Sequence, residues 1–434
     1  MIYLFEQYGY DRAEFYEDLS NEQLDKLAYI KDSGYTKHVI RKNKKETCFC
    51  IDFDEKQGQY HFQTSYFVGI DWIVENQLPI YIQPKLNKKS KEIDYIGMLL
   101  EAFQESENLN HLEDLVHIDF HKPYILIEQK DDKLSPFLIA QFLQILKRIV
   151  QKGLKKSYYT VTANLNARVK GKILVGRNIK ENLVKGRRTH TICQYQEFGV
   201  NCDENKVLKK AYQFSQRVIQ QYEKGLDAKP LLQLINYIHP VFETVSDEID
   251  IRKIKDFKSN SLFKEYDQAI KLALLILRRY SYNITKVGQQ QIMTPPFWID
   301  MSKLFELYVF RKLREVFREK GEVIYHYTHH SKELDFLVNS PRKSVQMVVD
   351  AKYKPRYHNS SIDLNDYRQI SGYARLKAVY DKLNINYKQT IDCLIIYPNQ
   401  TMETPEYIDF NQIESLPSYV QFYKLGVRLK EIIT

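Results

Sequence analysis

The sequence Asp350-Ala-Lys352 closes a largely apolar run, Val345 to Val349. A carboxylate and an ammonium at the end of such a strand need a partner, because burying unpaired charge is strongly unfavourable. Just upstream lies Glu333-Leu-Asp-Phe-Leu-Val, followed by the turn signal Asn339-Ser-Pro-Arg-Lys-Ser. The two segments read as a hairpin. With Val338 paired to Val345, Asp335 falls opposite Val348, and strand alternation puts Val348, Asp350 and Lys352 on one face. Asp335 and Asp350 are then diagonal neighbours within reach of one shared cation. Two carboxylates and a backbone carbonyl, that of Ala351, make an all-oxygen set suited to Mg²⁺, with Mn²⁺ as a substitute, and leave coordination positions for water and phosphate oxygens. Lys352 would orient or deprotonate the attacking water and stabilise charge developing at phosphorus. The chemistry is phosphodiester hydrolysis. An isolated Asp-x-Lys is far more often an ordinary salt bridge at a strand end, so the surrounding elements decide.

Those elements carry further polar groups at fitting places. Glu306 interrupts the apolar face Leu304, Phe305, Tyr308, Val309 and Leu313 of a helix over Met301 to Lys320. Gln369 and Tyr373 stand four apart on a helix near Leu364 to Leu383, so they share one face. The order is helix with Glu, strand with Asp, strand with Asp-x-Lys, helix with Gln-x-x-x-Tyr. This set resembles the PD-(D/E)xK nuclease superfamily, in its RecB-like branch, with Leu334 standing where the superfamily has Pro. The likeness extends upstream. Residues 66 to 86, from Tyr-Phe-Val-Gly-Ile-Asp-Trp-Ile to Ile-Tyr-Ile-Gln-Pro-Lys-Leu, residues 168 to 210, and Lys303-Leu-Phe-Glu-Leu-Tyr-Val are similar to the McrC family. McrC is the nuclease subunit of McrBC modification-dependent restriction systems. The resemblance implies a Mg²⁺-dependent endonuclease for double-stranded, cytosine-modified DNA, in which Glu306, Asp335, Asp350 and the Ala351 carbonyl manage the metal, Lys352 the water, and Gln369 with Tyr373 support the site. It also implies an N-terminal region that docks on and stimulates a hexameric McrB-like AAA+ GTPase.

The rest of the pattern predicts a multidomain α+β chain. Residues 1–135 read as mainly β, with Ser65 to Ile73 and Leu78 to Gln83 as a hairpin closed by Pro84. Residues 136–292 are basic and helical, with apolar spacing of three and four over Pro136 to Val150, Glu204 to Tyr222 and Leu262 to Tyr282, interrupted around His239-Pro240. Residues 293–434 have the helix, strand, strand, helix, strand order of a small α/β domain, restriction-endonuclease-like by the resemblance. Length agrees with about three domains for 434 residues.

Charge is unevenly placed. Between Gln141 and His190 there are 13 basic residues and one acid, a net +12 against +9 for the whole chain, so everything else is net negative. Within it Lys155, Lys156, Arg168, Lys170, Lys172, Arg177, Arg187 and Arg188 are candidate phosphate contacts. The same surface could face the GTPase ring, and the sequence leaves both open. No apolar run is long enough to span a membrane, and Met1-Ile-Tyr-Leu-Phe-Glu is not a signal peptide, so the expected compartment is the cytoplasm. There is no Gly-x-x-x-x-Gly-Lys-Ser/Thr motif, hence no expected nucleotide site. Five cysteines without a Cys-x-x-Cys pair argue for free thiols, with Cys48-Phe-Cys50 packing in a strand. His326-Tyr-Thr-His-His lacks a four-ligand zinc pattern and is expected on an exposed strand near phosphate, and Trp72 in the core. The rival functions are a nuclease-inactive activator of the GTPase and a stand-alone RecB-like repair nuclease.

Overall fold

The computed structural model describes residues 1–9, 14–15, 19–41, 44–86, 91–105, 107–108, 111–112, 115–128, 134–222, 229–250, 264–285, 291–329, 332–358 and 362–433. The chain is α+β and clusters into two compact units, Met1–Phe137 with Leu226–Pro230 and Gln290–Thr434, and Leu138–Gly225 with Leu231–Gln289.

The first and last parts of the sequence share a sheet. The hairpin Phe67–Val74 and Leu78–Gln83 forms as the alternation demands, turning at Asn76 with φ 61°. Ile2–Phe5 adds in parallel to its outer edge. On its other side comes Phe297–Asp300, paired antiparallel to Phe67–Ile70 and then to Val116–Ile118. That pairing requires Gly69: a Cβ there would stand 2.0 Å from the Phe297 carbonyl oxygen. Against this sheet pack Glu14–Phe15, Tyr35–Arg41, Lys44–Asp54 and Gln59–Thr64, with Phe49, Phe62, Phe67, Ile80 and Trp298 in the shared core. Trp72 is buried and its indole N–H donates to the Pro123 carbonyl at 2.7 Å. Cys48 is buried and Cys50 half-buried, and all five cysteines are free.

Phe297–Asp300 runs directly into the helix Met301–Val316, whose N-cap is Asp300, accepting from the Lys303 N–H at 2.8 Å. The helix stops at Val316 rather than Lys320 because Phe317 leaves helical geometry to bury itself against Phe410. Three strands follow, one more than expected: Val323–His329, Lys332–Ser340 and Val345–Ala351, antiparallel in that order. Asp392–Pro398 and Phe422–Val427 continue the sheet in parallel, and Glu414–Ser415 closes the edge. A parallel step needs a crossover, supplied by the helices Leu364–Tyr373 and Lys377–Leu383. They replace the single expected helix, breaking at Ala374, Arg375 and Leu376, where the Leu376 N–H returns to the Tyr373 carbonyl. Both lay apolar side chains, Ile370, Val379, Tyr380 and Leu383, into a core with Leu337, Val348 and Ile395.

The second unit carries a long antiparallel ribbon. Ser157–Asn166 pairs with His190–Gly199 over its whole length, and Lys172–Ile173 adds a short third strand. The helices Asp203–Tyr222 and Lys264–Thr285 pack on each other. A further helix, Lys229–Phe242, tolerates Pro240 in its last turn, so the expected interruption is a helix end. Among the described residues no helix is long and apolar enough to cross a membrane.

Candidate active site

The observed register shifts the hairpin by two residues from the expected one. Ser340 pairs with Val345 and Phe336 with Val349, so the next step brings Asp335 level with Asp350 rather than diagonal to it. The strand extends through the turn signal because its last residues are held from the other side as well. The Asn339 N–H donates to the Glu322 carbonyl at 2.7 Å, and the Ser340 hydroxyl sits 2.5 Å from Glu322 Oε1. A two-residue shift keeps the face, so both aspartates still point to one side.

Asp335 Oδ2 accepts from the Ala351 N–H at 2.9 Å, which pins its carboxylate to the neighbouring strand. Asp350 is 1% exposed, and neither of its oxygens has a well-formed hydrogen bond. Its partner is the Lys352 ammonium, 2.8 Å away as an ion pair. The same ammonium donates to Gln369 Oε1 at 3.0 Å, and the Gln369 amide donates to the Tyr373 hydroxyl at 3.2 Å. Asp350, Lys352, Gln369 and Tyr373 thus form one chain of contacts. The Lys352 N–H donates to the Ile396 carbonyl at 2.8 Å, so the backbone is still fixed where the strand ends.

Glu306 has a partner of its own. Its Oε1 lies 2.5 Å from His326 Nε2, and His326 Nδ1 lies 2.6 Å from Glu333 Oε1. His326, weighed above as an exposed strand residue, is half-buried. His330 lies outside the described residues. Among the described residues no three His, Cys, Asp or Glu side chains already converge as a complete metal cage.

The electrostatics follow from burial. Burial pushes the Asp335 carboxyl well above the usual range, and the nearby Asp350 and Glu306 carboxylates push it further against the pull of Lys352. Asp350 is raised by burial, with Lys352 opposing. For Glu306, burial raises the carboxyl, but the hydrogen bond and charge of His326 outweigh it and the net shift is downward. Burial alone would lower the Lys352 ammonium, yet Asp350 and Asp335 raise it overall, so it stays charged at neutral pH. One buried and one half-buried carboxylate facing one ammonium, with neither Asp350 oxygen in a well-formed hydrogen bond, is a donor set that a hard divalent cation would satisfy.

The basic candidates lie on the ribbon of the second unit. Lys156, Arg168, Lys170, Lys172, Arg177, Arg187 and Arg188 are exposed. Lys155 is not available in the same way. It is half-buried at the ribbon base, with its ammonium on Glu204 at 2.7 Å and its N–H on the Tyr266 hydroxyl. Lys170 pairs with Glu197 at 3.0 Å and Arg177 with Glu181 at 3.0 Å. The tip is fastened by Asn182, fully buried, whose amide donates to Asn164 Oδ1 at 2.9 Å and Asn178 Oδ1 at 2.7 Å. Exposed apolar residues accompany the cations: Val169, Val175, Leu183 and Val184, the last 78% exposed.

The sequence pattern of the family described as McrBC 5-methylcytosine restriction system component matches residues 63–398, well over half of the chain. The chain belongs to the McrBC family. No curated protein matches its sequence significantly. Two solved structures are similar, both from Thermococcus gammatolerans. One is a half-complex from the tetradecameric assembly of McrB AAA+ hexamers with bound McrC, at 15% identity, covering 98% of this chain and 94% of that one, with a TM-score of 0.34. The other is the McrBC complex, at 16% identity over 74% of this chain and 89% of that one, with a TM-score of 0.27. The McrBC family match spans Glu306, Asp335, Asp350, Lys352, Gln369 and Tyr373 together with the basic ribbon. Sequence reasoning weighed His326 only as part of a zinc cluster or as an exposed residue near phosphate, and missed its contact with Glu306. The signal for it was alternation, since Val323, Tyr325 and Tyr327 mark a strand whose pairing partner is the Asp335 strand.

Proposed function

We propose that this protein is the Mg²⁺-dependent DNA-cleaving subunit of a McrBC-type restriction complex, acting on cytosine-modified double-stranded DNA in the cytoplasm with a McrB-like hexameric AAA+ GTPase. The observation that carries this reading is the half-buried Asp335 and the buried Asp350 carboxylates against the single ammonium of Lys352, in a chain of this family. A helix followed by three antiparallel strands and two parallel ones, with the polar groups on the central strands, also supports a PD-(D/E)xK nuclease fold.

Asp335, Asp350 and the Ala351 carbonyl would hold the cation, with Glu306 at its side. When bound, Mg²⁺ supplies charge neutralisation at the scissile phosphate and a more acidic water. Lys352 acts as a cation, not as a base, because its carboxylate neighbours keep it protonated. It orients the attacking water and stabilises the negative charge that grows on the phosphate oxygens. Gln369 holds the Lys352 ammonium in place, and Tyr373 holds Gln369. The ribbon mixes cations with exposed valines and Leu183, which suits a protein surface better than phosphate alone, so we assign it to docking on the GTPase.

The test is cleavage of methylated and unmethylated plasmid with Mg²⁺ and GTP, with and without the partner GTPase, beside Asp350→Ala and Lys352→Ala. Expected is cutting of methylated plasmid with partner and GTP, lost in both variants while stimulated GTP hydrolysis persists. Unchanged cutting by Lys352→Ala would overturn the assignment. Partner-independent cutting would move the protein to the repair-nuclease class.

A further inference from the structure

The row of polar groups on the sheet continues past Asp335 onto the neighbouring strand. The ladder there runs Tyr325 to Phe336 and Tyr327 to Leu334, and the residue between, His326, stands opposite Asp335 without joining it. His326 has φ 52°, in the left-handed region, which a side chain of this size adopts at a cost that neighbouring structure must offset. Such outliers gather at functional sites. What the distortion achieves is visible in the contacts. The imidazole is gripped at both nitrogens, Nε2 by Glu306 at 2.5 Å and Nδ1 by Glu333 at 2.6 Å.

The ring is fixed from behind too. His111 meets it edge-on at 5.6 Å between centroids and meets Tyr325 at 4.6 Å. His111 is itself anchored to the site helix: its N–H donates to the Asn108 carbonyl, and the buried Asn108 amide donates to the Leu307 carbonyl at 2.9 Å, next to Glu306. A histidine serving only to fill space would need neither two carboxylates nor a strained backbone.

We propose that His326 is a positioning residue of the cleavage site, which through a Glu333–His326–Glu306 relay fixes the Glu306 carboxylate relative to Asp335 and Asp350 before cation or DNA arrives. The inference rests on the nuclease reading above. Residues that orient a metal-site ligand typically change metal affinity or activity 10- to 100-fold when removed, and that range is expected here.

The test compares His326→Asn and His326→Gln in the full chain. Asn accepts the left-handed conformation readily but is too short to span both carboxylates, whereas Gln extends an amide donor far enough to reach Glu306. The readouts are Mn²⁺ affinity by calorimetry on the chain alone, and plasmid cleavage with the partner GTPase. For His326→Asn, Mn²⁺ affinity and cleavage kcat are expected to fall by about 10- to 100-fold, with KM for DNA and stimulated GTP hydrolysis unchanged, and Gln recovers part of both losses. Wild-type Mn²⁺ affinity and kcat in His326→Asn would overturn the proposal. If that variant melts early, His326→Gln decides at a temperature where it is folded: Mn²⁺ affinity and kcat below wild type with KM for DNA unchanged support the relay, and wild-type values overturn it. Asp350→Asn serves as the control. Cutting that survives Asp350→Asn means that the nuclease reading itself has failed, while loss there with no effect at His326 refutes the relay alone.

Discussion

Glu6 is a buried acid with too few partners, and its consequence for stability can be worked out. It is 2% exposed, accepts the Lys85 N–H at 3.1 Å through Oε1, and holds Oε2 beside the Tyr353 hydroxyl without a well-formed hydrogen bond. Burial pushes its carboxyl from the ordinary 4.5 up to about 7, against the pull of Lys85. The folded state therefore holds this proton more tightly than the unfolded chain does. Stability is fully present below pH 4.5, falls between pH 4.5 and about 7, and is flat above. At about 1.4 kcal/mol per unit, the shift amounts to roughly 3 kcal/mol lost at pH 8. Glu6→Gln cannot ionise and avoids that loss. At pH 8 it should exceed the wild type by up to roughly 3 kcal/mol, or a melting temperature higher by about 5 °C for a unit of this size. At pH 4.5 the gap should shrink to about 0.4 kcal/mol. Scanning calorimetry of both proteins at the two pH values measures this. A gap equal at both, or wider in acid, would refute the reasoning.

Two further outcomes follow from packing. Gly69→Ala drives a methyl group into the Phe297 carbonyl, which stands 2.0 Å from the position it would take. The melting temperature should fall by the equivalent of about 1–3 kcal/mol or more, and an unchanged melt would show that Phe297–Asp300 does not pair there. Asn182→Ala strips the buried amide from Asn164 and Asn178 and should loosen the ribbon tip locally by about 1–3 kcal/mol. Tryptic cutting around Arg187 and Arg188 should accelerate roughly 10-fold while Mn²⁺ affinity stays as in the wild type, and wild-type cutting rates would refute the fastening role.

Much of the candidate site was legible because it obeys short periods. Asp350 and Lys352 are two apart on a strand, and Gln369 and Tyr373 are four apart on a helix, so each pair shares a face whatever surrounds it. The hairpin register was not legible. Asn339-Ser-Pro reads as a turn, but Glu322, outside the hairpin, holds Asn339 and Ser340 in the strand. His326 escaped for a similar reason, since its partners sit on a preceding helix and a following strand and its own backbone is left-handed. The expected helix over Leu364 to Leu383 failed at Ala374, Arg375 and Leu376, where propensity is ordinary and the sheet beneath sets where each helix lies. Lys155 shows the limit of charge counting: its neighbour Glu204 lies well along the sequence.

The strand Phe297–Asp300 has a consequence for how the protein is made. It fills the gap between Phe67–Val74 and Val116–Ile118, yet the ribosome delivers it long after both. At 5–20 residues per second, the growing chain waits roughly 10–40 s with Phe67–Val74, a strand of almost wholly buried residues, lacking its neighbour. Such an edge invites pairing with another nascent chain. The same delay has a protective side. Asp335, Asp350 and Lys352 are delivered later still, so the candidate site assembles only after that edge strand is available, and a chain terminated before them never carries it.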